Sequence, residues 1–298
     1  EGGGLFLYNP QTGTIKNYSH TPKTANCISS DYVRSLALDS QHRLWIGTIN
    51  SLNIYNEQED NFNIYTSDPL ENGSLSQMSV RNIFMDTQGG MWLGTYFGGI
   101  NYYHPLKNRF RNLQFTAKPN SLNSNIINCI REDAQKGLWI GTNGGGVNYY
   151  NPQTGKFTHY TQKEGLGSND VKAIYIDEAN KQVYIGTHTG GLSILHRRSG
   201  QIETYNRNSR EKNIYAIEPT ETGDFWMSGM SSILRFNPSQ LSFSSITTQS
   251  DGRPFLRERV SNFFRDSKHR LWLISEKGLF AYTEQNGKLH NYPIPALD

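Results

Sequence analysis

The residues of this chain that could do chemistry are few and scattered. Its eight histidines fall one to a turn or strand, two of them in "THY" (158–160) and "KLHNY" (288–292). Neither they nor Cys27 and Cys129 show a metal-ligand spacing, so no metal site and no cofactor is expected. Hydrolysis of a glycosidic bond needs two carboxylates facing across a cleft. The carboxylates here sit mostly in one class of short turn, just ahead of a recurring Trp segment, with Glu276 and Asp170 as exceptions. A proton-transfer pair of lyase type could be drawn from Tyr96 and His188. The other chemistry on offer is recognition. Tyr96, Phe97, Asn143 and His188 lie in Gly-rich turns, and Arg34, Arg81, Asn128, Lys172 and Tyr215 lie at the starts of apolar segments. Aromatic rings stack on the apolar face of a sugar, while amides and guanidinium groups bond its hydroxyls.

What positions these residues is a repeat. "LWIGT" (44–48), "MWLGT" (91–95), "LWIGT" (138–142), "VYIGT" (183–187), "FWMSG" (225–229) and "LWLIS" (271–275) align on Trp45, Trp92, Trp139, Tyr184, Trp226 and Trp272. Their spacings are 47, 47, 45, 42 and 46 residues, and all five tryptophans of the chain fall on this one position. Each unit opens with an apolar segment ending in an acid, such as "VRSLALD" (33–39). A polar turn leads to the Trp segment, a Gly-rich turn to a third segment such as "VNYYN" (147–151), and a further turn to a fourth such as "FTHYT" (157–161). Segments of this length, alternating partly at period two and bounded by turn residues, are strands. In "NPQTG", Asn caps the turn, Pro presets φ and Gly tolerates a positive φ at the exit. The Asp before each Trp strand accepts backbone N–H bonds in the same way.

Four antiparallel strands every 40–50 residues predict an all-β fold, a β-propeller of four-stranded blades. The Trp side chains are then core, each packed on a neighbouring blade. Complete blades are expected at 33–66, 80–116, 127–161, 171–206, 214–248 and 260–293 of a single domain. Residues 1–20, "GGGLFLYNPQTGTIKNY", match strands three and four of a seventh blade whose first two strands lie outside the sequence. A seven-bladed ring with one split blade is preferred to a six-bladed ring with a spare hairpin, which would leave apolar edges unpaired. This mid-repeat start and the absence of an initiator Met point to a segment of a longer protein.

Composition agrees. Aromatics make up 12% and charged residues 18% of 298 residues, with 28 Gly and 17 Tyr, which suits strands and tight turns. A net charge of +3 without clustered Lys and Arg argues against a nucleic-acid partner; the densest basic run, "HRR" (196–198), suits an exposed turn. No apolar run approaches the roughly 20 residues that span a bilayer. The cysteines are expected to be unrelated thiols, at least one buried.

The pattern "VRSLALDSQHRLWIGT", "VRNIFMDTQGGMWLGT", "INCIREDAQKGLWIGT", with crossovers "NGSLSQMSV" (72–80) and "PNSLNSNII" (119–127), resembles the two-component regulator propeller repeat. The resemblance covers the chain about six times over. It weakens in blade five, where Thr220 replaces the turn Asp and "MSG" replaces "IGT", and in blade six, which has "LIS". It implies the periplasmic sensor region of a hybrid two-component histidine kinase of Bacteroidetes type, anchored in the inner membrane by the rest of the parent chain. Such a region binds glycan-derived oligosaccharides, regulates polysaccharide-utilisation genes, and is joined by a second propeller and a homodimer partner. In a propeller, the turn between strands two and three and the crossover to strand one share a face, where variable loops sit on a rigid scaffold. That places Tyr96, Phe97, Asn143 and His188 at a mouth, above a polar ring of Arg34, Arg81, Asn128, Lys172 and Tyr215; the alternative is that these are solvated or satisfy crossover carbonyls. An enzyme and a pure protein-interaction scaffold are the rival functions. The Asp turns superficially match the sialidase Asp-box, which is structural.

Overall fold

In a computed structural model, residues 2–9, 12–22, 24, 26–68, 73–104, 111–116, 120–206, 208–209, 211–230, 232–248, 252, 254, 259–275, 278–283 and 288–292 are described. Pro10, Gln11, Ser231 and Glu276, on which some sequence expectations rest, lie outside them. Among the described residues every regular element is a strand. They form six four-stranded antiparallel blades and one two-stranded sheet. Blade one is Val33–Leu38, Leu44–Thr48, Leu52–Asn56 and Asn61–Tyr65; blade two is Val80–Met85, Met91–Thr95, Ile100–Tyr103 and Arg111–Leu113. Blade three is Ile127–Glu132, Leu138–Thr142, Val147–Asn151 and Lys156–Tyr160. Blade four is Val171–Asp177, Gln182–Thr187, Leu192–His196 and Ile202–Tyr205. Blade five is Ala216–Pro219, Phe225–Ser228, Ile233–Asn237 and Ser242–Ile246; blade six is Val260–Arg265, Leu271–Ser275, Gly278–Thr283 and Lys288–Tyr292. This is the propeller the repeat predicts.

The chain divides into two compact units, 1–143 with 148–158, and 144–147 with 159–298. In the first, apolar cores lie between consecutive blades. Trp45, Leu52 and Ile54 of blade one pack on Val80, Ile83, Met91 and Leu93 of blade two. Trp92 and Ile100 of blade two pack on Ile127, Ile130, Ile140 and Tyr150 of blade three. The second unit repeats this, with Tyr184 and Ile194 under Phe225, Met227 and Phe236, and Trp226 under Val260, Phe263 and Leu273. A single blade could not bury both faces, so the Trp position is core, and five of the six aromatics are at most 5% exposed. Trp272, in blade six, is half-buried.

The "IGT" glycine follows from the same packing. A Cβ on Gly47 would lie 2.8 Å from the Val80 carbonyl oxygen, and one on Gly94 would lie 2.6 Å from Ile127. In blade five Ser228 takes this place, with a buried hydroxyl that has no hydrogen-bond partner among the described residues. In blade six it is Ile274, which is 44% exposed.

The turn acids tie strand one to strand two. Asp39, Asp86, Asp133 and Asp266 each accept the indole N–H of the following Trp, at 2.9, 2.7, 3.0 and 2.9 Å. They also accept two backbone N–H groups, as Asp86 does from Gln88 and Gly90. Burial alone would raise the Asp266 carboxyl, but these bonds and the Arg270 guanidinium outweigh it and hold it at about 2. In blade five Thr220 takes over the backbone part of this work, its hydroxyl accepting from Thr222 and Asp224 backbone N–H.

Blades one and six fill the space beside this Asp with an arginine: Arg43 on Asp39 and Arg270 on Asp266, both at 2.7 Å. Blade two instead has Gly90, and a Cβ there would collide with the ring of Tyr102 from strand three. Gly137 and Tyr149 repeat the exchange in blade three. Overpacking typically costs about 1–3 kcal/mol, so Gly90→Ala should destabilise by that amount in urea unfolding. Adding Tyr102→Ile, the blade-one residue at Ile54, should recover most of the loss; additive effects in the double-mutant cycle would refute the pairing.

The two-stranded sheet, Leu5–Tyr8 with Ile15–Tyr18, is strands three and four of a blade. The Gly4 N–H bonds the Asp31 carbonyl at 3.0 Å, as Gly99 bonds Asn125 at the matching place before strand three of blade two. Of the "NPQTG" turn's described residues, Gly13 is at positive φ with its N–H on the Asn9 carbonyl, and Thr12 N–H bonds the Asn9 side chain. Cys27 and Cys129 are not joined in a disulfide, and Cys129 is buried.

Candidate functional site

Four of the five polar residues predicted at the start of an inner strand, Arg34, Arg81, Asn128 and Lys172, lie on a bulge. Strand one of blade one pairs Val33 with Thr48 and then Ser35 with Gly47, skipping Arg34. The same slip passes over Arg81, Asn128, Lys172 and Ser261. Tyr215 holds this place in blade five: Ile214 lies against Gly186 as Val80 lies against Gly47, and Tyr215 N–H bonds the Ser228 carbonyl. A bulge leaves one residue out of the ladder and re-aims its side chain. The apolar residue before it stays in the core while the polar one turns away, which the sequence period alone does not predict.

The turn between strands two and three is held against the same place. Backbone N–H groups of Ile49, Tyr96, Asn143 and His188 donate to the carbonyls of Tyr32, Ser79, Ile126 and Asp170, at 3.2, 3.0, 2.9 and 2.8 Å. At the other end of the turn, Gly99 bonds Asn125, Gly146 bonds Asn169 and Gly191 bonds Lys212 in the crossover to the next blade. The turns are thus stapled at both ends, and their tips are fixed.

In the first unit the result is an aromatic platform. Tyr96 and Phe97 are 39% and 58% exposed at the tip of the blade-two turn. Their rings meet edge to face at 4.3 Å between centroids. The Arg81 guanidinium lies over Tyr96, 5.4 Å from its centre. Asn143 is half-buried in the matching blade-three turn, and Arg34 is exposed on its bulge.

In the second unit the predicted residues form a polar cluster. Lys172 pairs with Asp170 at 2.8 Å, both about one-fifth exposed. His188 Nδ1 and the Tyr215 hydroxyl share a hydrogen bond at 3.3 Å. Arg259, which the sequence did not single out, lays its guanidinium over Tyr215 at 5.6 Å. It stands just before Val260, where Asp170 stands before Val171, and that equivalence was the available signal. Burial raises the Tyr215 phenol, Arg259 lowers it and Asp170 raises it, for a net upward shift. The lyase-type pairing of Tyr96 with His188 draws on residues of different units; the tyrosine bonded to His188 is Tyr215.

Comparison with known proteins bears on the repeat and the fold. The family model described as "Two component regulator propeller" matches residues 27–50, 74–97 and 121–144. No curated protein matches the sequence. Among solved structures, the extracellular domain assigned to a hybrid two component system of B. thetaiotaomicron aligns with TM-score 0.77 at 23% identity, over 89% of this chain and 35% of that one. A second such extracellular domain from B. thetaiotaomicron aligns with TM-score 0.56 at 21% identity, over 100% of this chain and 47% of that one. Streptogramin B lyase aligns with TM-score 0.67 at 14% identity, over 89% and 84%. The chain therefore spans between a third and a half of the two B. thetaiotaomicron structures. At these identities the likeness is one of fold.

Proposed function

We propose that this chain, built on two-component regulator propeller repeats, is the extracytoplasmic ligand-sensing propeller of a hybrid two-component histidine kinase, and that it binds oligosaccharides released from glycans. The parent would sit in the inner membrane with this region in the periplasm, its ligand controlling genes for polysaccharide use. A second propeller and a homodimer partner would complete the signalling unit. The repeat match and the extracellular B. thetaiotaomicron domains of like fold support the placement. The observation that carries ligand binding is the Arg81, Tyr96 and Phe97 platform, two exposed rings and a guanidinium held on a turn fixed at both ends. Rings of this kind serve the apolar face of a pyranose.

Thermal-shift and calorimetric titration of the protein with glycan oligosaccharides tests the reading. A sugar bound at 100 times its Kd adds about 2.7 kcal/mol by mass action and should raise Tm. Tyr96→Ala and Phe97→Ala should each weaken that sugar by roughly tenfold, about 1.4 kcal/mol, while leaving Tm of the free protein within a degree or two. No shift with any sugar, or turnover of one, would defeat the reading.

A further inference from the structure

Charge along the blades is sorted by end. The residue just before strand one and the bulge residue just after its first position carry Arg34, Arg81, Lys172 and Arg259, against one acid, Asp170. The opposite end of the same strands carries Asp39, Asp86, Asp177 and Asp266, with Arg265 as a lone cation among them. Strand one is six or seven residues long in these blades, so the two ends lie roughly 20 Å apart, about two Debye lengths at physiological salt. The acids are consumed locally by indole, backbone and guanidinium donors. Of the cations, Arg81 and Arg259 lie over tyrosine rings and Lys172 pairs with Asp170.

We infer that the second-unit cluster of Lys172, His188, Tyr215 and Arg259 binds the anionic group of an acidic sugar, a uronate carboxylate or a sulfate ester. The inference rests on the oligosaccharide-sensing reading and narrows it. Arg259 and Lys172 supply two positive charges, and guanidinium donors match the planar, paired oxygens of a carboxylate or the fork of a sulfate. Tyr215 lies beneath Arg259 and is bonded to His188, so the guanidinium rests on a ring that is itself held. Asp170 is the opposing element: it already occupies Lys172 at 2.8 Å, so an anion entering here competes with it and gains when it is neutralised.

The test is calorimetric titration of the whole chain with neutral cello- and xylo-oligosaccharides, trigalacturonate and a sulfated carrageenan disaccharide, which bears sulfate and no carboxylate, at low and high salt. The expected result is binding of one acidic probe, weakened several-fold by salt, and the probe that binds identifies carboxylate or sulfate. Arg259→Gln and Lys172→Gln should each lower its affinity by about ten- to a hundredfold, the range for hydrogen bonds to charged groups. Asp170→Asn should tighten it several-fold, a gain that mere damage to the fold would not produce. Binding of neutral sugars with none of the acidic ones overturns the inference and leaves sensing intact. Acidic-sugar binding indifferent to salt and to all three substitutions overturns the assignment to this cluster. Binding of no probe at all removes the sensing reading together with the inference.

Discussion

Trp45→Ala should cost about 3–5 kcal/mol in urea unfolding, the range for emptying a buried Trp site. Domains typically have only about 5–15 kcal/mol to lose. The site explains the size. Trp45 is 1% exposed and joins Leu52 and Ile54 to Val80, Ile83, Met91 and Leu93 of the next blade. Its ring lies 5.4 Å from that of Tyr103. Its loss opens a cavity at the seam between two blades and takes a donor from Asp39, whose side chain is 3% exposed. Trp272→Ala supplies the control. It makes the same bond to Asp266 at 2.9 Å, but it is half-buried, and its described stacking partners are Tyr292 of its own blade and Arg270. It should cost about half as much, since the transfer part scales with the apolar area buried. If both cost the same, the Asp–indole bond rather than interblade packing is what the repeat protects.

That comparison shows where the sequence was legible. Packing between repeats constrains most units alike, so the Trp position, the turn acid and the "IGT" glycine recur and mark six blades in the sequence. The half blade was legible too, because "GGGLFLYNPQTG" (2–13) repeats "GGGVNYYNPQTG" (144–155) of blade three, and the Gly4 bond to Asp31 matches that of Gly99 to Asn125. The candidate site was legible only in part. Tyr96 and Phe97 announce themselves as aromatics in a turn, and Arg34, Arg81, Asn128, Lys172 and Tyr215 as polar residues at an inner-strand start. What aims Arg34, Arg81, Asn128 and Lys172, a bulge that turns one residue out of the ladder, leaves no period in the sequence. Arg259 was missed because its partner is the ring of Tyr215, 44 positions earlier in the chain.

Gly99→Ala should affect fold and site together. Gly99 sits at φ +74°, and a Cβ there would overlap the Leu113 carbonyl oxygen. Its N–H is also the staple to Asn125 at 3.2 Å. A non-glycine residue held in the left-handed region costs of order 1–3 kcal/mol, and the overlap adds to that by pushing apart strands three and four of blade two, where Leu113 pairs with Ile100. A loss of about 2–3 kcal/mol in urea unfolding is expected. The turn from Tyr96 to Gly99 would then lose its fixed end, so sugar affinity should fall even though no ring was removed. Gly144→Ala separates the two effects. Gly144 is also at positive φ, +82°, but a Cβ there meets nothing within 4 Å. It should show the backbone strain without the displaced strand, at about half the cost, because blade three lacks an aromatic pair in its turn and its strands keep their spacing. Equal losses at the two glycines would mean that torsional strain alone sets the cost, and that the close approach of the Leu113 carbonyl does not shape the platform.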